Sequence, residues 1–288
     1  MNTEMRTRLR PFCVEALAQG IPAGEVERWL SLARPCVNLA PVKEGPGPVV
    51  GQLGGPLLLP VGVPTPAYPF VASVDLAALP AGATDLPLPS EGHLLFFSWP
   101  ESRYPHSAGR VVYVPAGVAV TERDKQESWN PGDVEEYRAM FAGYPRGPLR
   151  ASFGVSLPYH ACVTLPGAQD AVCIPGHPRA EELVRVWEKT QDDIAPAGTL
   201  QIGGYPDEEA VYLDPVEDAV SAAVQAVQAG MWGGPVSADP ADWVLLADWF
   251  AGADVAGWEG STVHWVIQRE DLAARRLDRA FAGVYWNP

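Results

Sequence analysis

Two cysteines and two histidines have types and spacing suited to metal chemistry: His160-x-Cys162 and, beyond the turn at Pro166-Gly167, Cys173-x-x-x-His177. Two thiolates and two imidazoles complete a tetrahedral zinc site when a hairpin brings them together. However, His160 and Cys162 share one strand face, and the second pair is not a Cys-x-x-Cys knuckle. The preferred reading is therefore a β-hairpin with two small buried cysteines and two surface histidines, with no metal bound. Asp75 and Asp248 each close a strand-like run and could converge as an acid/base or cation pair. They equally suit carboxylates that accept backbone N–H bonds where a strand turns into a loop. Gly203-Gly204-Tyr205-Pro206-Asp207 forms a tight turn whose glycines could admit a ligand for Tyr205 and Asp207 to read.

Six tryptophans, Trp232, Trp243, Trp249, Trp258, Trp265 and Trp286, crowd the last sixty residues, either as core or as a ligand- or partner-binding surface. In Ser261–Gln268 the alternation sets Val263, Trp265 and Ile267 on one face and Thr262, His264 and Gln268 on the other, so His264 is expected at a surface or cleft. The candidate ligand contacts are thus Asp75, Gly204, Tyr205, Asp207, Asp248, Trp249 and His264. No catalytic residue and no cofactor is assigned. Gly-x-x-x-x-Gly-Lys-Ser/Thr, Gly-x-Gly-x-x-Gly, His-Glu-x-x-His and Gly-x-Ser-x-Gly do not occur in the sequence.

The elements that must position these residues are mostly strands. Runs at Phe70–Leu76, His93–Trp99, Val111–Val114, Ser152–Leu157, His160–Leu165, Trp243–Phe250 and Ser261–Gln268 are bounded by glycine or proline, which predicts antiparallel pairing. Helical periodicity runs through residues 3–34 in two helices split at Pro22 and Gly24. It returns at 179–192, at 214–229 with Asp214 as N-cap and Pro215 at N1, and at 271–282. The prolines from Pro35 to Pro66 exclude a continuous helix there, leaving short extended pieces at Val49-Val50 and Leu57-Leu58-Leu59. Thr121–Leu149 reads as a polar excursion around a short helix near Val134–Phe141.

An internal repeat emerges from these runs. Phe70-Val-Ala-Ser-Val-Asp75-Leu76 aligns with Trp243-Val-Leu-Leu-Ala-Asp248-Trp249. Each is preceded by an apolar-Gly-Gly pair, Leu53-Gly54-Gly55 and Ile202-Gly203-Gly204, and followed by a glycine that opens an aromatic strand at Gly92 or Gly260. Three matched elements in one order predict a duplicated half.

Composition narrows the classes. The 288 residues include 28 glycines and 30 prolines, about one residue in five, which excludes a helical bundle. Twenty Lys and Arg against 35 Asp and Glu give a net charge of −15, which repels nucleic acid and anionic membranes. Arg6, Arg8 and Arg10 are followed by no continuous apolar stretch, and four scattered cysteines make no disulfide framework, so a cytoplasmic protein with reduced thiols is expected.

The ordered set Leu53-Gly54-Gly55-Pro56, Val74-Asp75-Leu76, Leu88-Pro89-x-x-Gly92-His93-Leu94-Leu95-Phe96-Phe97, Gly204-Tyr205-Pro206-Asp207, Leu245-Leu246-Ala247-Asp248, Trp258-Glu259-Gly260 and Asp271-Leu272 through Leu277-Asp278 resembles the YwqG-like family, a bacterial domain of unknown function. The chain departs from that pattern in two places: Ser73 and Leu246 stand where the family usually has its polar residue two places before the strand-end aspartate, and Glu209-Ala210-Val211 stands where its usual Gln follows Gly-Tyr-Pro-Asp. The resemblance implies a mainly-β, roll-like fold with peripheral helices and supplies no established catalytic residues. The resulting expectation is an α+β, mainly-β protein: an N-terminal helical extension over 1–40 and a duplicated antiparallel β roll-like domain over 41–288, with halves near 48–165 and 196–288. The function expected is a non-enzymatic, cytoplasmic binding protein that engages a basic protein partner, an inhibitor of a basic toxin being one version. The alternative is a small-molecule-binding protein or enzyme with a pocket between the halves.

Overall fold

Alternation of apolar and polar side chains builds one large antiparallel sheet, described in a computed structural model over residues 1–41, 47–101, 106–164, 171–195, 198–206, 214–253 and 255–286. Its strands are β1 (Arg34–Pro41), β2 (Val49–Leu53), β4 (Phe70–Asp75), β5 (His93–Ser98), β6 (Gly109–Val114), β8 (Gly147–Ser156), β11 (Leu200–Gly203), β12 (Trp243–Trp249), β13 (Ser261–Gln268) and β14 (Phe281–Trp286). Two small hairpins add β3 (Leu57–Pro60) with β7 (Val120–Arg123), and β9 (Cys162–Val163) with β10 (Val172–Cys173). Seven α-helices occur among the described residues: α1 (Thr3–Arg8), α2 (Arg10–Ala18), α3 (Ala23–Leu30), α4 (Glu135–Ala142), α5 (Ala180–Ile194), α6 (Pro215–Gln228) and α7 (Arg269–Ala273).

The ten strands run in the order β14-β13-β12-β11-β1-β8-β2-β4-β5-β6. The two ends of this sheet meet. The Ala108 N–H donates to the Ala282 carbonyl at 2.8 Å, and the Ala282 N–H donates to Ser107 Oγ at 3.0 Å. This nearly closes a barrel and covers part of the edges that an open sheet would present. Inside it, Phe96 and Trp265 pack at 5.0 Å between ring centres. An aromatic chain Trp99–Trp129–Phe141–Tyr144–Trp249, each step between 5.1 and 5.5 Å, ties the 121–149 excursion into the same core. A second core joins α1–α3 and α5 to Val155 and Leu157 at the end of β8, with Trp29 and Trp187 fully buried. A third lies under α6, where Ala219, Val220 and Ala223 cover Leu245, Val266 and Phe281 on the outer face of the sheet.

Several sequence expectations change. The N-terminal helices number three rather than two, because the chain breaks at Leu9. The helix expected over 271–282 stops after five residues at α7, and the chain then turns through Leu277–Arg279 into β14, whose Phe281 and Ala282 are buried. β13 needs that partner strand, and tertiary pairing outweighs the helical propensity of the segment. The strand expected at His160–Leu165 contracts to two residues. β1 lies in the middle of the sheet where only proline-broken coil was expected. Its doubly paired part is Cys36–Leu39, so Pro35 and Pro41 sit outside the region where both neighbours claim backbone bonds. The boundary drawn between residues 40 and 41 falls inside this strand.

Candidate functional site

Strand register assembles a polar row on the outer face of the sheet. Ser152 on β8 faces Asn38 on β1, Asn38 faces Gln201 on β11, Gln201 faces Asp248 on β12, and Asp248 faces His264 on β13. Directly opposed residues share a face. The alternate positions, Val37, Leu39, Ile202, Ala247, Trp249 and Trp265, point into the barrel core. Trp249 therefore belongs to the core and faces away from its neighbour Asp248.

At one end of the row, Asp248 Oδ1 lies 2.5 Å from His264 Nδ1, with the residues 5% and 2% exposed. The surface or cleft position expected for His264 is corrected: α6 covers this face. His160 is buried beside them. Burial, with His264 adding to it, pushes its imidazole down to about 4. Asp214 accepts from the Val216 N–H at 2.7 Å and caps α6, the role expected of it. Burial raises the carboxyls of Asp214, Glu217 and Asp218 above the ordinary range. The Cys36 thiol is fully enclosed and pushed up to about 12, which removes it as a nucleophile at neutral pH. An Asp–His pair is the chemistry of a general base, but a base must come within hydrogen-bond reach of a substrate proton. Here the pair is closed off from solvent.

The Gly203–Pro206 turn packs against the same row. Gly203 and Gly204 both have left-handed φ, 71° and 79°, and a Cβ on Gly204 would lie 2.5 Å from Ser156 Oγ and 2.9 Å from Cys36 Cβ. Gln201 secures the turn by donating Nε2 hydrogens to the carbonyls of Gly203 and Tyr205, at 2.9 and 2.8 Å. Tyr205 is committed to structure: its N–H donates to Ser156 Oγ at 2.9 Å, its hydroxyl donates to the Leu32 carbonyl at 2.9 Å, and Arg34 stacks over its ring at 5.5 Å. Arg34 in turn holds Asp85 through two bonds of 2.8 and 3.0 Å. Gln52 lies against the Gly54-Gly55 turn in the same way, its amide within 2.6–2.9 Å of where a Gly55 Cβ would stand. Sequence reasoning passed over both glutamines, although each stands two residues before its Gly-Gly pair.

Of the seven candidate residues, Gly204, Tyr205, Asp248 and His264 belong to this row and its turn. Asp75 does not. It caps the turn at Leu76–Ala78 by accepting from the Ala77 N–H at 3.0 Å, on β4, five strand steps from β12 along the sheet. The registers also match a different pair. Gln52 faces Ser73 where Gln201 faces Asp248, and both β4 and β12 carry a bulge just before that position, so Ser73 holds the register position on β4 that Asp248 holds on β12. Asp207 lies outside the described residues.

The family described as domain of unknown function (DUF1963) matches residues 51–285. The chain belongs to that family. The DUF1963 span opens within β2, so the three N-terminal helices and the central strand β1 precede it. No curated protein matches the chain.

Among the described residues no group of three or more His, Cys, Asp or Glu is placed to hold a metal ion. The expected burial is inverted. Cys162 is half-buried and Cys173 exposed, whereas His160 and His177 are both buried, His177 edge-on to Trp29 at 5.4 Å. Of the six late tryptophans, Trp243, Trp249 and Trp265 are core, and Trp286 is 54% exposed. Among the described residues no helix is long and apolar enough to cross a membrane.

Proposed function

We propose that this protein acts by binding, and that its partner is a basic protein met in the cytoplasm. The observation that carries this reading is the distribution of charge. Residues 196–288 hold 14 of the 35 acidic residues and only 4 of the 20 basic ones, all four of them arginine. In that region Asp242, Glu259, Glu270 and Asp278 are exposed, while the residue types suited to catalysis, Asp248 and His264, are withdrawn beneath α6. A surface with this excess of acidic groups accelerates encounter with an oppositely charged partner and does so in a salt-dependent manner. An inhibitor of a basic toxin fits that chemistry.

The fold behind this surface is read as a duplicated β roll of YwqG-like kind. Two four-stranded meanders, β2-β4-β5-β6 and β11-β12-β13-β14, support the duplication, as do their matching bulges and matching Gln-x-Gly-Gly turns. β1 and β8 lie between them at the centre of the strand order.

The test is affinity capture with the full chain from its native cytoplasm at low salt and at about 0.5 M salt, where charge attraction beyond a few ångströms is screened. The expected result is a basic protein retained at low salt and released at high salt. Recovery of no partner under either condition overturns the reading.

A further inference from the structure

Where the two ends of the sheet meet, the segment after β3, strand β6 and the approach to β14 enclose a cleft of about 440 Å³. That volume is in the range of small-molecule sites. Its wall carries two guanidinium groups, Arg110 and Arg275, with the hydroxyl of Thr65 and apolar surface from Val63, Val112 and Leu277. None of the seven candidate residues lines it.

The two arginines are left without carboxylate partners among the described residues of an acidic chain. With 35 acidic residues against 20 basic ones, carboxylate partners are plentiful. The neighbouring Arg276 and Arg279 both reach Asp271, at 2.7 and 3.5 Å. Among the described residues, by contrast, the side chains of Arg110, Arg275 and Thr65 make no hydrogen bond or ion pair. Asp278 also lines the cleft and lies beyond ion-pair distance of both arginines, so the wall keeps a net positive charge.

Arg275 also holds its place against its own backbone preference. α7 ends in a Schellman turn, with the Arg275 N–H donating to the Leu272 carbonyl at 3.0 Å and the Arg276 N–H to the Asp271 carbonyl at 2.8 Å. Arg275 occupies the left-handed position of that turn at φ 58°, where glycine is the usual residue. Arginine there carries a conformational cost that glycine would not, and its side chain lines the cleft.

We propose that this cleft binds a small organic anion, a carboxylate or phosphate monoester with an apolar body. The head is held by Arg110, Arg275 and Thr65, and the body lies on Val63, Val112 and Leu277. Guanidinium groups suit such heads because their fixed fork donates two parallel hydrogen bonds. The site adjoins the acidic surface assigned to a protein partner at Asp278, but it does not depend on that reading.

Isothermal titration of the full chain with phenyl phosphate, benzoate, inorganic phosphate and benzyl alcohol tests it. Saturable one-to-one binding is expected for phenyl phosphate or benzoate, with at least about tenfold weaker binding of inorganic phosphate and of the neutral alcohol. Arg110→Gln and Arg275→Gly should each weaken the aromatic anion by about tenfold or more. Arg275→Gly should leave Tm unchanged or raised, because glycine suits φ 58°, which separates loss of the site from loss of the fold. Absence of saturable binding by both aromatic anions, equal binding of the neutral or inorganic probe, or full affinity in both variants overturns the proposal.

Discussion

Asp248 and His264 stand directly opposite each other on β12 and β13, joined at 2.5 Å and shielded from water, so each is the condition for burying the other. Removing one partner strands a buried polar group, which costs far more than the net worth of the pair. Asp248→Ala and His264→Ala should each destabilise the fold by about 3 kcal/mol. The double variant Asp248→Leu/His264→Leu should cost less than the sum of the two single leucine variants, by more than about 1 kcal/mol. Urea denaturation of the four leucine-cycle proteins measures this, and strict additivity would mean that the two side chains do not depend on each other.

His160 makes stability fall toward acid. In the unfolded chain a histidine titrates near 6.5, whereas the buried His160 takes its proton only at about 4. Above pH 6.5 both states are neutral and the full stability is present. As pH falls from about 6.5 to 4 the unfolded chain binds the proton first, which removes up to about 3 kcal/mol. Burial raises Asp214, Glu217 and Asp218, so their contribution runs the other way, favouring the fold as they protonate. The His160 component is isolated by comparing the wild type with His160→Gln across that window. The variant should show the shallower acid loss, and parallel curves would exclude His160 as its source.

The strands and the two long helices were legible because periodicity and capping are local properties of the sequence. Asp214-Pro215 marks the start of α6 by cap chemistry alone, and the alternation in Ser261–Gln268 separates His264 from Trp265. What periodicity could not supply was the other side of each surface. His264 alternates away from the core as expected, yet α6 covers that face, a contact made by residues about forty positions earlier in the chain. β1 was hidden because its prolines lie outside its doubly paired stretch, which only the register shows. The Asp75–Asp248 alignment was ungapped in sequence but two residues off in space, since two short strands can share a pattern while the bulges fix a different pairing.

Cys162 and Cys173 are cross-strand partners in the β9–β10 hairpin, and the nearby Cys173 thiol contributes to raising that of Cys162. Facing positions in an antiparallel pair fall within the Cα separation that a disulfide spans. Diamide, a two-electron oxidant, should take two electrons and two protons from this pair, becoming the hydrazine while one S–S bond forms. Peptide mapping should find Cys162 linked to Cys173 and Cys36 still reduced, since burial holds the Cys36 thiol near 12. Oxidation that consumed Cys36 first would contradict the burial assigned to both sites.

The Gly203-Gly204 turn is read as packed structure rather than an open ligand loop, and two glycines separate those readings. Gly204 and Gly230 have nearly the same φ, 79° and 70°, so alanine at either bears a similar left-handed cost of about 1 kcal/mol. A Cβ at Gly230 meets nothing within 4 Å, whereas at Gly204 it meets Ser156 Oγ at 2.5 Å and Cys36 Cβ at 2.9 Å. Gly204→Ala should therefore cost about 2 kcal/mol more than Gly230→Ala, because the overlap falls on buried neighbours with no room to retreat. In a chain of this length that difference is several degrees in Tm. Equal losses would mean that the turn can lift away from Cys36 and Ser156, leaving the polar row less tightly covered than the packing requires.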